Sequence, residues 1–340
     1  MSLKKIASMV GTSVSTVSRV LNQTSSTCAS KELQNKIWAA AREIGYQPNE
    51  AARSLKRSQC PQAAAPHISI VLARITALEQ EPFFAELFRS LEVELLKQGA
   101  TIDHVIYAEE SFSPNFSQNL SSSSGVIILG RCSHTLLTHI TSQNRNVVGI
   151  WRNPMKFNVD EVVCDGKKAA ELAMQHLFSL GHQRIAYIGD CSFESRYVGY
   201  CNMLIRNDIP MDYDLIKQTN QTRDEAGTAL CELLEAKLSH KTDFTAVFCA
   251  NDNTAIRVLE LLQERKKELG KTPISVISID DIEEAQNTRP YLTTIHIPRN
   301  EMAHMAVQLL LDRIARGHEE IVRIEFPCRI MQRSSCFPVS

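Results

Sequence analysis

Near the start of the chain, a short run of side chains has the chemistry that binds DNA. Small hydroxyls and an amide can bind phosphate oxygens, and an arginine can donate two parallel hydrogen bonds to a guanine. The outward positions of this run are Val14, Ser15, Thr16, Ser18, Arg19 and Asn22. Their types indicate a surface that contacts both the backbone and the base edges of a duplex.

Two short helices joined by a tight turn would hold this surface in place. Apolar residues recur at helical spacing on either side of Gly11, and Ser13 stands where the N-cap of the second helix is expected. These apolar residues are Ile6, Ala7 and Val10 before the turn, and Val14, Val17, Val20 and Leu21 after it. Two helices with a glycine-containing turn are typical of a helix-turn-helix unit, whose second helix lies in the major groove. On periodicity alone, a plain three-helix core with a polar surface is the alternative.

The charge of the chain is divided unevenly along its length. Residues 1–58 contain nine Lys/Arg and three Asp/Glu. The rest of the chain contains the other 28 of the 37 Lys/Arg and the other 35 of the 38 Asp/Glu. A basic segment joined to an acidic body is typical of a module for a polyanion, although a solvated basic face gives the same count. A third helix is predicted over 30–44, a short helical stretch over 48–56, and a linker with two prolines over 58–66.

From residue 67 onward, short apolar runs alternate with amphipathic helical patterns. This alternation predicts parallel sheets covered by helices on both faces, and the segment is long enough for two doubly wound lobes. Ligands of such folds bind beyond the carboxyl ends of the strands, here in the cleft between the lobes. The serine-rich segment 108–124 is predicted to be a polar loop. The fold class is therefore an all-α helix-turn-helix headpiece followed by a two-lobed α/β body.

Several motifs of the chain resemble the LacI/GalR family of the lactose repressor. The headpiece of that family is matched by GTSVSTVSRVLN at 11–22 and by GYQPNEAARSL at 45–55. Further matches lie at 81–87, 180–186, 250–252, 280–281 and 333–335. The resemblance thus covers nearly the whole chain. It implies a homodimer that reads a pseudo-palindromic operator in double-stranded DNA, with a body similar to periplasmic sugar-binding proteins.

The resemblance also implies roles for residues of the headpiece. By motif position, base edges would be contacted by Val14, Ser15 and Arg19, and phosphates would be held by Ser13, Thr16 and Asn22. Residues 48–56 match the family's hinge helix, which enters the minor groove. The DNA-contacting residues of this helix would be Asn49, Ala52 and Leu55. Leu55 occupies the wedge position, and an apolar wedge favours an easily deformed step such as CG at the operator centre.

By the same resemblance, a set of residues in the body would line an effector site. Arg196 matches a ligand-gripping arginine and Asp280 a ligand carboxylate, and the two would face each other across the cleft. Such a pair suits a polyhydroxylated ligand, because each group can make paired hydrogen bonds to vicinal hydroxyls. An Arg–Asp pair that only latches the lobes is the alternative. The remaining candidates are Phe83 at the cleft entrance, Trp151, Cys164, Ser192 and Asn251.

The expected effector is a sugar, such as a galactoside or another oligosaccharide, and a purine is the alternative. Three positions depart from the family's pattern: Trp151 stands where many members have Asp, Cys164 where lactose-type members have Phe, and Thr222 where an aromatic platform is common. We hypothesise that Trp151 supplies the stacking face that Thr222 lacks. Trp151→Ala would then weaken effector binding without altering basal operator affinity. The serine loop at 108–124 is similar to that of the subgroup linked to galactoside operons.

These inferences predict the domain organisation. The headpiece spans 1–57 with its hinge helix at 48–56, the linker 58–66, and the effector-binding and dimerisation domain 67–340. Within that domain, lobe 1 is expected at about 67–163 and 293–322, and lobe 2 at about 164–292 and 323–340. Leucine heptads of the kind that make some family members tetramers are absent, which favours a dimer.

Other function classes find little support in the sequence. No G-x-G-x-x-G follows the first strand, and neither G-x-S-x-G nor H-E-x-x-H occurs. The ten cysteines lack metal-finger spacing, so no metal and no cofactor are expected. A solute-binding protein would need a signal segment, which the first residues do not predict, and no apolar run predicts a membrane span. The sequence therefore predicts a cytoplasmic transcriptional regulator, not an enzyme.

Overall fold

The computed structural model describes residues 3–21, 29–44, 65–153, 155, 157–192, 194–269 and 273–339. The chain divides into two compact units, Met1–Ala64 and Ala65–Ser340. Several predicted features lie outside the described residues: Asn22, the hinge helix 48–56 with Asn49, Ala52 and Leu55, and most of the linker 58–66. In the described part of the chain, no helix combines the length and the apolar character needed to cross a bilayer.

The first unit contains three short helices around one apolar cluster. Helix α1 spans Leu3–Val10, α2 spans Val14–Leu21 and α3 spans Lys31–Glu43. Gly11 turns the chain between α1 and α2 with a φ of +71°, a conformation that glycine adopts without steric cost. The buried residues of the cluster are Ile6, Ala7, Val17, Val20, Leu21, Ile37, Ala40 and Ala41. The predicted two-helix unit and its apolar stripes are therefore confirmed.

The second unit contains two six-stranded sheets. The strands of the first sheet run in the order β11-β5-β4-β3-β1-β2, and all of its strand pairs are parallel. The bounds of these strands are β1 His67–Leu72, β2 Thr101–Tyr107, β3 Gly125–Leu129, β4 Val147–Trp151, β5 Asp160–Val163 and β11 Arg323–Glu325. Strands β3, β4 and β5 are fully buried, as expected for parallel strands with helices on both faces.

The second sheet has the order β12-β10-β9-β8-β6-β7, in which only the β10–β12 pair is antiparallel. Its strands are β6 Ile185–Gly189, β7 Ile216–Gln218, β8 Ala246–Cys249, β9 Ser275–Asp280, β10 Thr293–His296 and β12 Arg329–Met331. The helices of the unit are α4 Pro82–Lys97, α5 Pro114–Ser122, α6 His134–Gln143, α7 Gly166–Ser179, α8 Ser195–Arg206, α9 Arg223–Leu238, α10 Asp252–Glu264, α11 Lys266–Leu269 and α12 Arg299–Ile314. The predicted α/β body with two parallel sheets is confirmed.

Two expectations for the body are wrong in detail. The serine-rich segment contains a 3₁₀ turn, Ala108–Phe112, and the helix α5, with Phe116 and Leu120 buried against the sheet. Two apolar residues four apart are enough to anchor one helical face, although the surrounding serines suggest a loop. The predicted bounds of the two lobes also differ from the observed ones, because β10 belongs to the second sheet and β11 to the first. Residues 293–296 therefore belong to lobe 2 and 323–325 to lobe 1.

A buried carboxylate ties the end of α12 to β5. Asp160 is fully buried and accepts hydrogen bonds from Arg313 at 2.6 and 2.7 Å and from the backbone of Val322 at 2.8 Å. His318 lies between two carboxylates: its Nε2 is 2.8 Å from Asp160 and its Nδ1 is 2.6 Å from Asp312. Only the protonated imidazole can donate from both nitrogens, and these bonds, chiefly the one to Asp312, raise the pKa of His318.

We expect His318→Gln to make the protein less stable at pH 6 by roughly 1 kcal/mol, and by less at pH 8.5. The raised pKa means that the contribution of His318 is fully present below its unfolded pKa, near 6.5, and is lost as the pH rises through the folded value. Thermal unfolding followed by circular dichroism at both pH values measures this. The matched control is His304→Gln, because His304 pairs with Glu94 but its side chain is half exposed. Equal losses at pH 6 and pH 8.5 would contradict the prediction.

Candidate functional site

The outer face of α2 carries the residues predicted to bind DNA. Ser13, Val14, Ser15 and Arg19 are exposed and Thr16 is half-buried, whereas Val17, Val20 and Leu21 lie in the core. The Ser13 hydroxyl accepts a hydrogen bond from the Thr16 amide at 3.1 Å and lies 2.8 Å from the hydroxyls of Ser15 and Thr16. Ser13 thus caps the helix, and the hydroxyl cluster stands at its amino end, where the helix dipole favours a phosphate.

A cavity of about 260 Å³ lies between the two lobes of the body. Its walls come from the segments that follow the carboxyl ends of strands in both sheets, the position at which open α/β folds bind ligands. The lining residues are Arg74, Ile75, Glu81, Phe84, Gly130, Arg131, Trp151, Arg152 and Asn153 from lobe 1, and Glu194, Arg196, Asn220, Gln221 and Asn251 from lobe 2. Six of these side chains are carboxylates or carboxamides and four are guanidinium groups, so the cavity is rich in paired donors and acceptors.

Arg196 is the most constrained side chain of this cavity. It begins the first turn of α8, is 3 % exposed, and donates to Glu194 at 2.9 Å, to the Ala250 carbonyl at 2.6 Å and to Gln221 at 3.0 Å. Burial alone would raise the pKa of Glu194, but the charge and hydrogen bonds of Arg196 hold it at about 2. The pair is therefore ionised, and its guanidinium plane has a fixed orientation at the wall of the cavity.

Two polar atoms of lobe 1 at this cavity have no hydrogen-bond partner among the residues that the structure describes. They are Oδ1 of Asn153 and Nε1 of Trp151, and both are buried. Glu81 adds a carboxyl group whose pKa is raised by burial, in spite of the opposing charge of Arg152. Buried polar groups without partners are costly unless a ligand or water satisfies them. These groups are consistent with a polar ligand in the cavity.

Ion pairs cross the cleft beside the cavity. Arg152 of lobe 1 donates to Asp280 of lobe 2 at 2.5 Å, and Arg74 of lobe 1 lies 3.3 Å from Asp190 of lobe 2. Asp280 is 3 % exposed, and the Arg152 guanidinium lies 4.5 Å from the ring centroid of Phe83. The Arg152–Asp280 pair is thus a desolvated link between the lobes.

We expect Arg152→Met to lower the free energy of unfolding by about 3 kcal/mol, because it leaves Asp280 buried without its closest cation. The double variant Arg152→Met/Asp280→Asn should recover most of this loss, since no charge is then left uncompensated. Urea unfolding of the full chain measures both values. Lys168→Met provides the control: Lys168 also pairs at 2.5 Å, with Glu325, but its side chain is 63 % exposed, so its loss should change the free energy of unfolding much less. A double variant as unstable as the single one would refute the assignment.

The structure separates the predicted effector residues into two groups. Arg196, Asn251 and Trp151 line the cavity, and Asn251 also caps α10 by accepting from the Thr254 amide at 2.9 Å. Asp280 does not line it, because its carboxylate is bound to Arg152. Arg196 and Asp280 both lie on lobe 2, so the predicted arrangement in which they face each other across the cleft is wrong. The latch between lobes exists, but its arginine is Arg152.

Three further candidates lie away from the cavity. Phe83 is 3 % exposed and packs under Arg152, and its neighbour Phe84 lines the cavity instead. Cys164 is fully buried in the core beyond β5. Ser192 is exposed, and its hydroxyl donates to Asp190 at 2.5 Å. A one-residue helical step turns a side chain by about 100°, which explains why Phe84 and not Phe83 reaches the ligand space.

Trp151 is not a stacking platform. Its ring is 2 % exposed and meets Phe157 edge to face, with centroids 5.9 Å apart. The indole lies over Gly149, where a Cβ atom would come within 1.8 Å of the ring. Gly149 therefore makes room for the tryptophan in the core of lobe 1. A stacking platform must expose a ring face, so the hypothesis that Trp151 replaces the aromatic residue missing at Thr222 is wrong; Thr222 itself caps α9.

The residues that the sequence analysis missed share a recognisable position. Arg152 and Asn153 directly follow the buried strand β4, and Gln221 follows β7. Glu194 stands two residues before Arg196, just ahead of α8. Polar residues directly after buried parallel strands were a signal available in the sequence.

Comparison with known proteins agrees with this architecture. The profile of "Bacterial regulatory proteins, lacI family" matches residues 2–49, and that of "Periplasmic binding protein-like domain" matches residues 174–336. The chain is 28 % identical to the HTH-type transcriptional repressor MelR of Bacillus subtilis, over 98 % of this chain and 97 % of that protein. It is also 28 % identical to the ribose operon repressor of Escherichia coli, over 98 % and 99 %.

Among solved structures, the chain is similar to a LacI family transcriptional regulator from Enterococcus faecium with bound ribose. The two are 27 % identical, with a TM-score of 0.69 over 81 % of this chain and 100 % of that chain. The two repressors match this chain over its headpiece and its body, so the two parts occur together in proteins that regulate transcription. This chain belongs to the LacI family of bacterial regulatory proteins and is a DNA-binding transcriptional regulator.

Proposed function

We propose that the protein is a repressor whose affinity for its operator is set by a small sugar bound between the lobes. The observation that carries this proposal is the inter-lobe cavity around the buried Arg196, with its six carboxylate or carboxamide side chains. Vicinal hydroxyls are donors and acceptors at once, and such side chains satisfy both functions. Relatives that regulate a ribose operon or bind ribose support the same ligand class.

The size of the cavity favours one sugar ring. Its volume of about 260 Å³ lies just below the usual range of roughly 300–1,000 Å³ for small-molecule sites. A pentose or hexose fits this space better than an oligosaccharide does. A sugar that contacts Arg196 and Asn153 touches both lobes, so it would hold them together beside the Arg152–Asp280 link.

The DNA-binding half of the proposal rests on the exposed face of α2. We propose that two headpieces of a homodimer place this face in successive major grooves of a pseudo-palindromic operator. The sugar alters the angle between the lobes and thereby the operator affinity. Because coupling between two binding sites is reciprocal, operator must change the sugar affinity by the same factor. As a regulator of chromosomal genes, the protein would act in the cytoplasm and would catalyse no reaction.

The test is a fluorescence-anisotropy titration of a labelled palindrome with a central CG step, using the full chain. The titration is repeated with ribose, galactose, glucose and two purines, adenine and hypoxanthine. We expect one sugar to change operator affinity at least tenfold, and the sign separates inducer from corepressor. A purine that does so in place of every sugar would overturn the ligand class. Operator binding that no compound alters would leave the DNA-binding function and refute the effector site.

A further inference from the structure

Two thiols lie side by side where the chain passes between the lobes. Cys164 directly follows β5 of lobe 1, and Cys328 directly precedes β12 of lobe 2. The pairing of Glu325 with Val163 and a 2.9 Å hydrogen bond from the Phe326 amide to the Val163 carbonyl bring the two segments together. The two side chains are in hydrogen-bond contact, and both cysteines are free thiols. A covalent bond between the two sulfurs would replace this contact.

The thiols lie on two of the three connections by which the described part of the body passes from lobe to lobe. Residues 164–165 link β5 to α7, which packs on the second sheet, and residues 326–328 link β11 to β12. The third connection, 297–298, links β10 to α12, which packs on the first sheet. Backbone rotation in these short connections has to accommodate any change in the angle between the lobes. A bond between two of them would restrict that change.

The backbone around each thiol is fixed to a different lobe. The Cys164 amide donates to the Trp151 carbonyl at 3.4 Å, which anchors Cys164 to the end of β4 in lobe 1. Arg329, directly after Cys328, pairs with His296 in the second sheet. A disulfide between the two cysteines would therefore tie lobe 1 to lobe 2.

The two thiols differ in access and acidity. Cys164 is fully buried, whereas Cys328 is half-buried and can meet a small oxidant. The hydrogen bond from Cys164 lowers the pKa of Cys328 against the effect of burial, and the Lys168 ammonium acts in the same direction. The same contact, together with burial, raises the pKa of Cys164. Because the thiolate is the nucleophile, Cys328 is the thiol that reacts first.

We infer that Cys164 and Cys328 form a disulfide in response to a hydroperoxide and that this bond fixes the angle between the lobes. The Cys328 thiolate attacks an oxygen of the hydroperoxide, whose O–O bond breaks, and the leaving oxygen takes up the proton that Cys328 has released. The sulfur of Cys164 then attacks the sulfenic acid on Cys328. The S–S bond forms, the S–O bond breaks, and the hydroxyl leaves with the proton of Cys164 as water. Two thiols are oxidised and one hydroperoxide is reduced.

The bond would be reversible, because a dithiol reductant restores both thiols by exchange. In reducing surroundings it would form only while an oxidant is present. Its consequence for regulation rests on the proposed function, in which a sugar acts on operator affinity through the angle between the lobes. A protein oxidised in this way would no longer respond to its sugar.

Peptide mapping of the full chain after treatment with hydrogen peroxide tests the bond itself. Remaining thiols are blocked with N-ethylmaleimide, and trypsin then releases residues 157–167 with Cys164 and residues 324–329 with Cys328. We expect a cross-linked product of these two peptides, lighter than their sum by two hydrogen atoms, which dithiothreitol removes. Cys328→Ala should abolish it. Cys164→Ala is the second variant should the first one not fold, and it should leave a sulfenic acid on Cys328 that dimedone traps.

Cys336→Ala is the matched control for the cross-link. Cys336 is also half-buried in lobe 2, but burial raises its pKa to about 11, and its thiol donates to the Val276 carbonyl at 3.3 Å. The cross-link should persist in this variant. A cross-link that does not form, or that Cys336→Ala removes as fully as Cys328→Ala does, would overturn the inference.

Two measurements on the oxidised protein test whether the bond fixes the lobes. For a sugar that changes operator affinity tenfold in the reduced protein, we expect a change of threefold or less after oxidation, whereas peroxide-treated Cys328→Ala should keep the tenfold response. Amide hydrogen exchange gives a readout that needs no sugar. Exchange at residues 296–299, around the third connection, should slow at least threefold on oxidation, although the bond does not touch that segment.

The outcomes separate this inference from the proposed function. If no sugar alters the operator affinity of the reduced protein, the proposed function fails, and the cross-link and the exchange at 296–299 still decide the inference. A cross-link that leaves this exchange unchanged would refute the fixed angle between the lobes. A tenfold sugar response that survives complete cross-linking would refute it as well, while the proposed function would stand.

Discussion

Arg196→Lys is expected to weaken sugar binding by 100-fold or more. A lysine keeps the positive charge, but it cannot hold Glu194, the Ala250 carbonyl and Gln221 together with a ligand, because its ammonium group is a compact point charge without a planar fork. The hydrogen bonds lost are made by a fully buried charge, for which losses of about 2–5 kcal/mol are typical. Isothermal titration calorimetry with the recognised sugar measures the change.

The same helix offers a matched control for this prediction. Arg206 lies at the other end of α8, is 61 % exposed and lies 3.5 Å from Glu171, so Arg206→Lys should bind the sugar within about threefold of the unchanged protein. Circular dichroism of both variants verifies folding. Sugar affinity that survives Arg196→Lys would show that the guanidinium has only a structural role in lobe 2. The effector site would then have to depend on other cavity residues, such as Asn153 and Glu81.

Arg19→Ala is expected to lower affinity for the operator at least 30-fold and to have a much smaller effect on scrambled DNA. Arg19 is exposed on α2, and a bidentate contact to guanine contributes roughly 1–3 kcal/mol of discrimination in each half-site. In the proposed dimer, two half-sites would double that contribution. Anisotropy titrations with operator and scrambled duplexes at one fixed salt concentration measure the ratio, which is meaningful only when the salt is held constant.

Lys36→Ala is the control for Arg19, because it removes the same charge from the same headpiece. Lys36 lies on α3, 63 % exposed, and pairs with Glu32 at 2.9 Å. We expect it to change the affinities for operator and scrambled DNA by similar, small factors, as the loss of a sequence-independent charge should. Equal losses for the two duplexes with Arg19→Ala would mean that Arg19 contacts phosphate and not bases.

Much of the architecture could be predicted because it depends on local patterns. The spacing of Val17, Val20 and Leu21 predicts a short helix with a polar outer face, and the alternation of apolar runs with amphipathic segments predicts the parallel sheets. Both signals arise within one or two turns or strands, so no knowledge of distant contacts is needed. Arg196 and Asn251 were also identified, because each lies in a motif that matches the family.

The errors concern side chains whose partners lie far away in sequence. Asp280 was expected to face Arg196 across the cleft, but Arg152, 128 residues away, pairs with it from the other lobe. Cys164 follows a buried strand and Trp151 ends one, and only packing shows that Cys164 faces the core and that the ring of Trp151 is packed into lobe 1, although Trp151 also lines the cavity. In α5, two buried apolar residues among many serines proved sufficient for a helix once the sheet was present to cover them.

The sequence by itself determined that the protein has a DNA-binding headpiece, an α/β body with two sheets and a polar site at the strand ends. Periodicity, capping residues and motif spacing involve residues that are close together in the chain, so they can be recognised from the sequence alone. The tertiary structure alone decided which charges pair across the cleft, which aromatic residue is buried and which space remains for a ligand. Ion pairing and packing depend on contacts between residues that are distant in sequence, and such contacts produce no periodic pattern in the chain.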